Sequence, residues 1–148
     1  MRKSLLCTLI VLVVFFLTGY AFADDKAECI SLCEAAAKMM KEDLPGALCE
    51  INKKDGKFVK GKIFVFAWRG GVLVAHPFMP QSIGNDITNH KDTEGKEYVK
   101  EYLKIVKGKG SGWVNYKFPK PGEKKPSDKT TYVLKVDENF YVTAGYFK

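Results

Sequence analysis

Lys62-Ile63-Phe64-Val65-Phe66-Ala67-Trp68, then Arg69-Gly70-Gly71, then Val72-Leu73-Val74-Ala75-His76 are two apolar runs joined by a glycine turn. The first run is β-branched and aromatic without a polar break, the pattern of a strand buried on both faces. The two glycines make a tight turn, and the second run returns as the antiparallel arm of a hairpin.

Working outward, residues Pro77 to Gly95 carry two prolines, two glycines and little periodicity, and read as a long loop draped over something. Glu97 to Lys107 is helical, with Tyr98, Val99, Tyr102, Leu103 and Val106 on one stripe. Trp113 to Phe118 is a third strand, Pro119 to Pro126 a lysine- and proline-rich loop. Thr130 to Val136 and Phe140 to Phe147 are two further alternating strands joined by Asp137-Glu138-Asn139. On the other side of the hairpin, apolar Ala27, Ile30, Cys33, Ala37 and Met40 mark an amphipathic helix over Lys26 to Lys41. Asp43 and Pro45 open a second, short helix ending near Ile51. The order helix, helix, β, β, helix, β, β, β excludes an alternating βαβ sheet. It predicts an α+β domain with a five-stranded antiparallel sheet, the N-terminal helix covering one face.

The N-terminus is of another kind. Met1-Arg2-Lys3, an apolar run from Leu5 to Leu17 and Ala21-Phe22-Ala23 form a secretory signal pattern with cleavage expected after Ala23. A retained N-terminal anchor is the alternative. Residues 24–148 are then one exported domain, periplasmic or secreted, with a formal charge of +5 once Arg2 and Lys3 are removed from the total of +7. A composition of 46% hydrophobic and 28% charged residues excludes a disordered chain and a multi-pass membrane protein. Arg69 is the one arginine after the leader, and the lysines are dispersed. No nucleic-acid partner is expected, since such readers concentrate arginine.

Cys29, Cys33 and Cys49 remain after export, an odd number. Cys29 and Cys33 share a helical face, so a structural disulfide from either to Cys49 is expected, with three buried reduced thiols as the alternative. A redox role for Cys29 and Cys33 is weaker, since a Cys-x-x-Cys is absent. No His or acidic residue stands at a spacing that completes a metal set, and Cys-x-x-Cys-His, Gly-x-Ser-x-Gly, His-Glu-x-x-His and a phosphate-binding glycine loop are missing. No cofactor, no metal and no catalytic residues are therefore expected.

Laid out in this way, the chain resembles the single Cache domain family of extracytoplasmic sensing domains. Gly61 to Phe66 and Gly71 to Pro77 are similar to that family's first hairpin, which ends in His-Pro. Ile83 to Ile87 and Asp92 to Lys96 are similar to its middle loop, Gly112 to Gly122 to its third strand, and Lys129 to Val133 and Val142 to Tyr146 to its last two strands. Arg69-Gly70-Gly71 and the three cysteines depart from the pattern. The resemblance implies a PAS-like sheet, a pocket between it and the helix-loop insertion, and a short organic carboxylate or related metabolite as ligand. With no helix following the sheet, the chain reads as a free-standing copy acting through a membrane receptor or envelope protein. An envelope interaction module that has lost ligand binding is the alternative.

Five residues are the expected ligand contacts: His76, Trp113, Tyr116, Lys129 and Tyr132. His76 closes the second strand ahead of Pro77 and is placed to donate to a carboxylate, with a structural hydrogen-bonding role as the alternative. Trp113 and Tyr116 lie on opposite faces of one strand, and Trp113 is the expected pocket wall, with core packing as the alternative. Tyr132 offers a hydroxyl and a flat wall, and Lys129 is the expected cation for an anion, with an ordinary solvated lysine as the alternative. His90 is a lid residue or a surface one, and Arg69, at a turn tip, is left out.

Overall fold

The computed structural model describes residues 24–148; the leader expected at residues 1–23 lies outside them. Helix α1 (Asp25–Glu42) starts where the Asp24 side chain accepts from the Lys26 amide at 3.2 Å, with Asp25 and Glu28 in its first turn opposing the positive helix end. It stops at Asp43, whose backbone leaves helical geometry. The Asp43 carboxylate accepts from the Gly46 amide at 3.0 Å, so the same residue opens α2 (Leu44–Ile51), with Pro45 in its first turn.

Among the described residues six strands form one antiparallel sheet: β1 (Val59–Lys60), β2 (Ile63–Arg69), β3 (Val72–Ala75), β4 (Ser111–Pro119), β5 (Pro126–Lys135) and β6 (Phe140–Phe147). The order is β1-β2-β6-β5-β4, with β3 also paired to β2. Ile63 through Trp68 are buried, as the uninterrupted apolar run predicts, and Arg69 emerges at the turn. Helix α3 (Tyr98–Lys107) packs on β4 and β5, burying Tyr98, Val99 and Tyr102.

Three details differ from the sequence reading. The short strand β1 extends the sheet beside β2. The β4–β5 hairpin runs further than expected, to Pro119 opposite Pro126, because Lys117 pairs with Asp128 at 2.6 Å along a stretch whose lysines and prolines read as loop. The expected disulfide is not formed. Cys29 and Cys33 lie at 0% exposure under α1, Cys49 sits on the outer side of α2, and all three are free thiols.

Residue parity divides the molecule into two cores. Ile63, Val65, Ala67, Val142 and Ala144 face α1, where Cys29, Leu32, Cys33, Ala36, Ala37 and Met40 interleave with them. Phe64, Phe66, Trp68, Val114, Tyr116, Val133 and Tyr141 face the other way, toward α3 and the long loop. That loop is not slack. It adds to the free edge of β3: Gly84 donates to the Leu73 carbonyl at 2.8 Å and Ile87 to that of Gly71 at 3.0 Å. A side chain at Gly71 would run into Thr88, so glycine permits the close approach. Asp92 ties the far end, one carboxylate oxygen accepting from Glu94 and Lys96 amides and the other from the Lys117 amide on β4, each at 2.9 Å.

Candidate ligand site

Between this loop and the aromatic face of the sheet is a chamber of about 100 Å³, partly open to solvent. Phe66 and Trp68 from β2, Tyr116 and Phe118 from β4 and Lys129 from β5 form its floor. Met79, Ser82, Ile87 and His90 from the loop form its roof, with Leu73, His76 and Tyr98 at the sides. A second groove of about 260 Å³ adjoins it under the β4–β5 turn. The two cavities share His76, Met79, Phe118 and Lys129.

His76 ends β3, and the chain turns there because its ring holds it. Nδ1 accepts from the amides of Phe78 and Met79, both at 3.0 Å, while its own amide donates to Asn52 Oδ1 at 2.9 Å. Two N–H donors on Nδ1 require that nitrogen to be unprotonated, which assigns the ring proton to Nε2. Burial, and secondarily the charge of Lys129, pushes the His76 pKa down to about 3. His76 is thus a neutral ring with one hydrogen-bond donor left.

Lys129 is only 3% exposed. Its stem crosses β6 over Gly145, where an added Cβ would meet Thr131 Oγ1 at 2.4 Å, the Thr130 carbonyl at 2.8 Å and Lys129 Cε at 3.0 Å. Glycine there gives the lysine a path. Its Nζ lies 5.0 Å from the ring centroids of Phe64, Phe66 and Phe147 and 5.5 Å from that of Phe118. Cation–π attraction of ~0.5–2 kcal/mol per favourable ring holds the ammonium in this cage. Among the described residues it has no ion-pair partner within 4.0 Å. Desolvation therefore dominates and lowers its pKa to about 7.

The remaining polar atoms of the floor are largely satisfied internally. Trp68 Nε1 donates to Thr143 Oγ1 at 3.0 Å, and the Tyr141 hydroxyl donates to the Gly70 carbonyl at 2.9 Å. Thr131 donates to the Tyr116 hydroxyl at 3.2 Å, and burial pushes the Tyr116 pKa up to about 12. His90 Nδ1 lies 2.9 Å from the Tyr98 hydroxyl, and Tyr98 stacks on Tyr116 at 4.3 Å between ring centroids. These contacts connect roof, helix and sheet in one rigid path. The Tyr102 hydroxyl, beneath that stack, is the one buried side-chain polar atom among the described residues without a partner.

The structure brings His76, Tyr116 and Lys129 to the chamber and does not bring Trp113 or Tyr132. Trp113 faces α1, 5.0 Å from Tyr132 across the β4–β5 pair, with Lys26 Nζ 5.7 Å above its ring. The reason is the two-residue period: Trp113 is three positions from Tyr116, and Tyr132 three from Lys129, so each member of a pair is on the face opposite the other. His90 lines the chamber as a roof residue. Arg69 is remote, its guanidinium over Phe140 at 6.0 Å. The sequence reading missed Phe66, Trp68, Tyr98 and Phe118. Parity held a signal for three of them, since Phe66 and Trp68 alternate with the α1-facing residues of β2 and Phe118 is in phase with Tyr116.

A sheet covered by a helix on one face and by a loop-helix flap over an aromatic chamber on the other defines a PAS-like α+β domain. A family model described as "Cache domain" matches residues 38–148. The chain belongs to the Cache domain family. Among solved structures it is similar to a periplasmic sensor domain of a chemotaxis protein (25% identity, TM-score 0.64), covering 82% of this chain and 88% of that one. It is also similar to a Cache chemosensory domain that recognises carboxylic acids (27% identity, TM-score 0.66), covering 79% and 84% of the two chains. In sequence it is 31% identical over 64 residues, 43% of its length, to the methyl-accepting chemotaxis protein McpP of Pseudomonas putida. That match spans 12% of the receptor.

Proposed function

We propose that this chain is an extracytoplasmic small-molecule sensor domain whose chamber binds a short organic carboxylate. The observation that carries the reading is Lys129: a buried ammonium in an aromatic cage, lacking an acidic partner among the described residues, beside the Nε2–H of a neutral His76. A carboxylate in the chamber supplies the missing negative charge, takes a charge-assisted bond from Lys129 and accepts a second bond from His76. The apolar walls formed by Phe66, Trp68, Leu73 and Ile87 then suit a short hydrocarbon tail rather than a second charge. The likeness to a carboxylic-acid-recognising Cache domain supports the same ligand class. Export through the segment at 1–23 and the likeness to a periplasmic sensor domain support a location outside the cytoplasm, with a membrane receptor or envelope protein as partner.

A thermal-shift screen against two- to four-carbon carboxylates, amino acids and amines tests this. The carboxylates raise the melting temperature with concentration, because a ligand selective for the folded state must do so, and the amines do not. A folded protein that none of the acids stabilises refutes the reading.

A further inference from the structure

The charge balance around Lys129 has a consequence for how an acid enters. The rings of Phe64, Phe66, Phe118 and Phe147 orient the ammonium and bring no countercharge. From the end of β3, His76 faces it as a neutral donor, its Nδ1 filled by two amides. From β4, Tyr116 stands directly opposite in register, and from α1 Cys29 is the titratable group whose charge bears on it; burial pushes both to about 12, so both are uncharged. From the roof, His90 lines the same chamber and is bonded to the Tyr98 hydroxyl. At the rim, Lys120 and Glu123 line the outer groove, Lys148 and Glu94 a shallow groove behind β5, and Asp128 on β5 is already held by Lys117 at 2.6 Å.

Desolvation disfavours an unpaired ammonium buried this far, so above about pH 7 the neutral amine predominates until a negative charge arrives. Building on the carboxylate reading above, we propose that the chamber binds an organic acid as a carboxylate together with one proton, Lys129 being the group that takes the proton up from solvent as the acid enters. No covalent bond is made or broken apart from the N–H formed on Nζ, and the buffer supplies the proton. The domain thereby reports acid concentration weighted by acidity: the same amount of carboxylate occupies more sites as the surroundings acidify toward neutrality from the alkaline side. In the empty chamber burial sets the Lys129 pKa near 7, which places this coupling in the range an exposed compartment experiences. A bound carboxylate raises it again.

Two measurements on the purified chain decide the matter. In isothermal titration with acetate and propionate, run at pH 8 in Tris and in HEPES and at pH 6 in MES and in Bis-Tris, the difference between buffers gives the protons exchanged. About 0.9 proton is taken up per bound acid at pH 8 and about 0.1 at pH 6, and the apparent Kd weakens about tenfold for each pH unit above 7. Binding with a pH-independent Kd and no proton exchange at pH 8 overturns the proposal and leaves the carboxylate reading standing. Absence of binding by either acid at both pH values overturns that reading instead.

The second measurement needs no ligand: an NMR titration of the empty chain labelled at lysine Cε. The signal missing from Lys129→Met, or from Lys129→Gln where the first variant does not fold, titrates near 7. A Lys129 signal titrating with the bulk lysines near 10.5 overturns the proposal, whether or not an acid binds.

Discussion

The two faces of the sheet are built from the same strands in alternate residues and behave as different materials. Toward α1 the residues are small and aliphatic: Val65, Ala67, Val142 and Ala144 against Ala36, Ala37, Cys29 and Cys33, all at 6% exposure or less. Small side chains let a helix come close and interdigitate with the sheet. Toward the loop the residues are rings, among them Phe64, Phe66, Trp68, Tyr98, Tyr102, Tyr116 and Tyr141. Rings meet edge to face or offset, as Trp68 does with Tyr102 at 5.8 Å and 67°, and flat plates stacked on a twisted sheet leave gaps. One face is closed by interleaved small side chains, and the other keeps a chamber lined by the unpaired Lys129 ammonium.

The comparison is broken most directly at Lys129. Lys129→Met weakens carboxylate binding by about 100-fold or more, the loss of a buried charge-assisted contact of about 3 kcal/mol. It leaves the unliganded protein as stable as before or more so, because a buried unpaired charge is replaced by an apolar chain of similar length. The same variant removes a pH dependence. The unfolded chain binds the lysine proton up to about 10.5 and the folded chain only up to about 7, so between these values the unfolded state holds more protons. Stability of the empty protein therefore rises with pH across that window, by at most ~1.4 kcal/mol per unit, and chemical denaturation of Lys129→Met shows no such rise.

Ile63→Ala tests the opposite face. It opens a cavity against α1 and costs about 2–4 kcal/mol in denaturant unfolding, while the Kd of the molecules that remain folded is unchanged. A large loss of affinity there contradicts the division of labour between the faces. Gly145→Ala acts on both properties. Its Cβ crowds Thr131 and the Thr130 backbone and pushes on the Lys129 stem, for a stability loss of about 1–3 kcal/mol together with weakened binding.

His76→Asn separates the two jobs of that ring. The Asn oxygen accepts from the Phe78 and Met79 amides as Nδ1 does, so the turn survives, while the donor to the ligand is lost and affinity falls about tenfold. His76→Ala, lacking both, destabilises the fold as well. The smallest effect is at Asp92. Burial opposes its charged form, but the amides of Lys117, Lys96 and Glu94 outweigh it and lower its pKa. Its contribution is present above the carboxylate range and fades as pH falls below about 4. Asp92→Ala costs under about 1 kcal/mol overall and shows chiefly as faster hydrogen exchange at the Lys117 amide, which loses its acceptor.

Much of the scaffold was readable along the chain. The unbroken run at 63–68, the alternation at 130–136 and 140–147 and the stripe beginning at Tyr98 are local signals, and each became the element it suggested, within a few residues at the ends. The β4–β5 hairpin was underestimated because Lys117 and Asp128 look like loop residues singly and act as a cross-strand pair only when aligned. Of the chamber, the sequence reading reached His76, Tyr116 and Lys129. It misplaced Trp113 and Tyr132, although parity shows that Tyr132 and Lys129 point apart.

Sequence alone determined that these segments alternate and that each strand has two dissimilar faces, because backbone geometry puts successive side chains on opposite sides whatever surrounds them. Which face α1 would cover was left to the tertiary structure. That choice depends on contacts between residues a hundred positions apart, where the small residues of α1 match the small residues of β6 and leave the rings to close around Lys129.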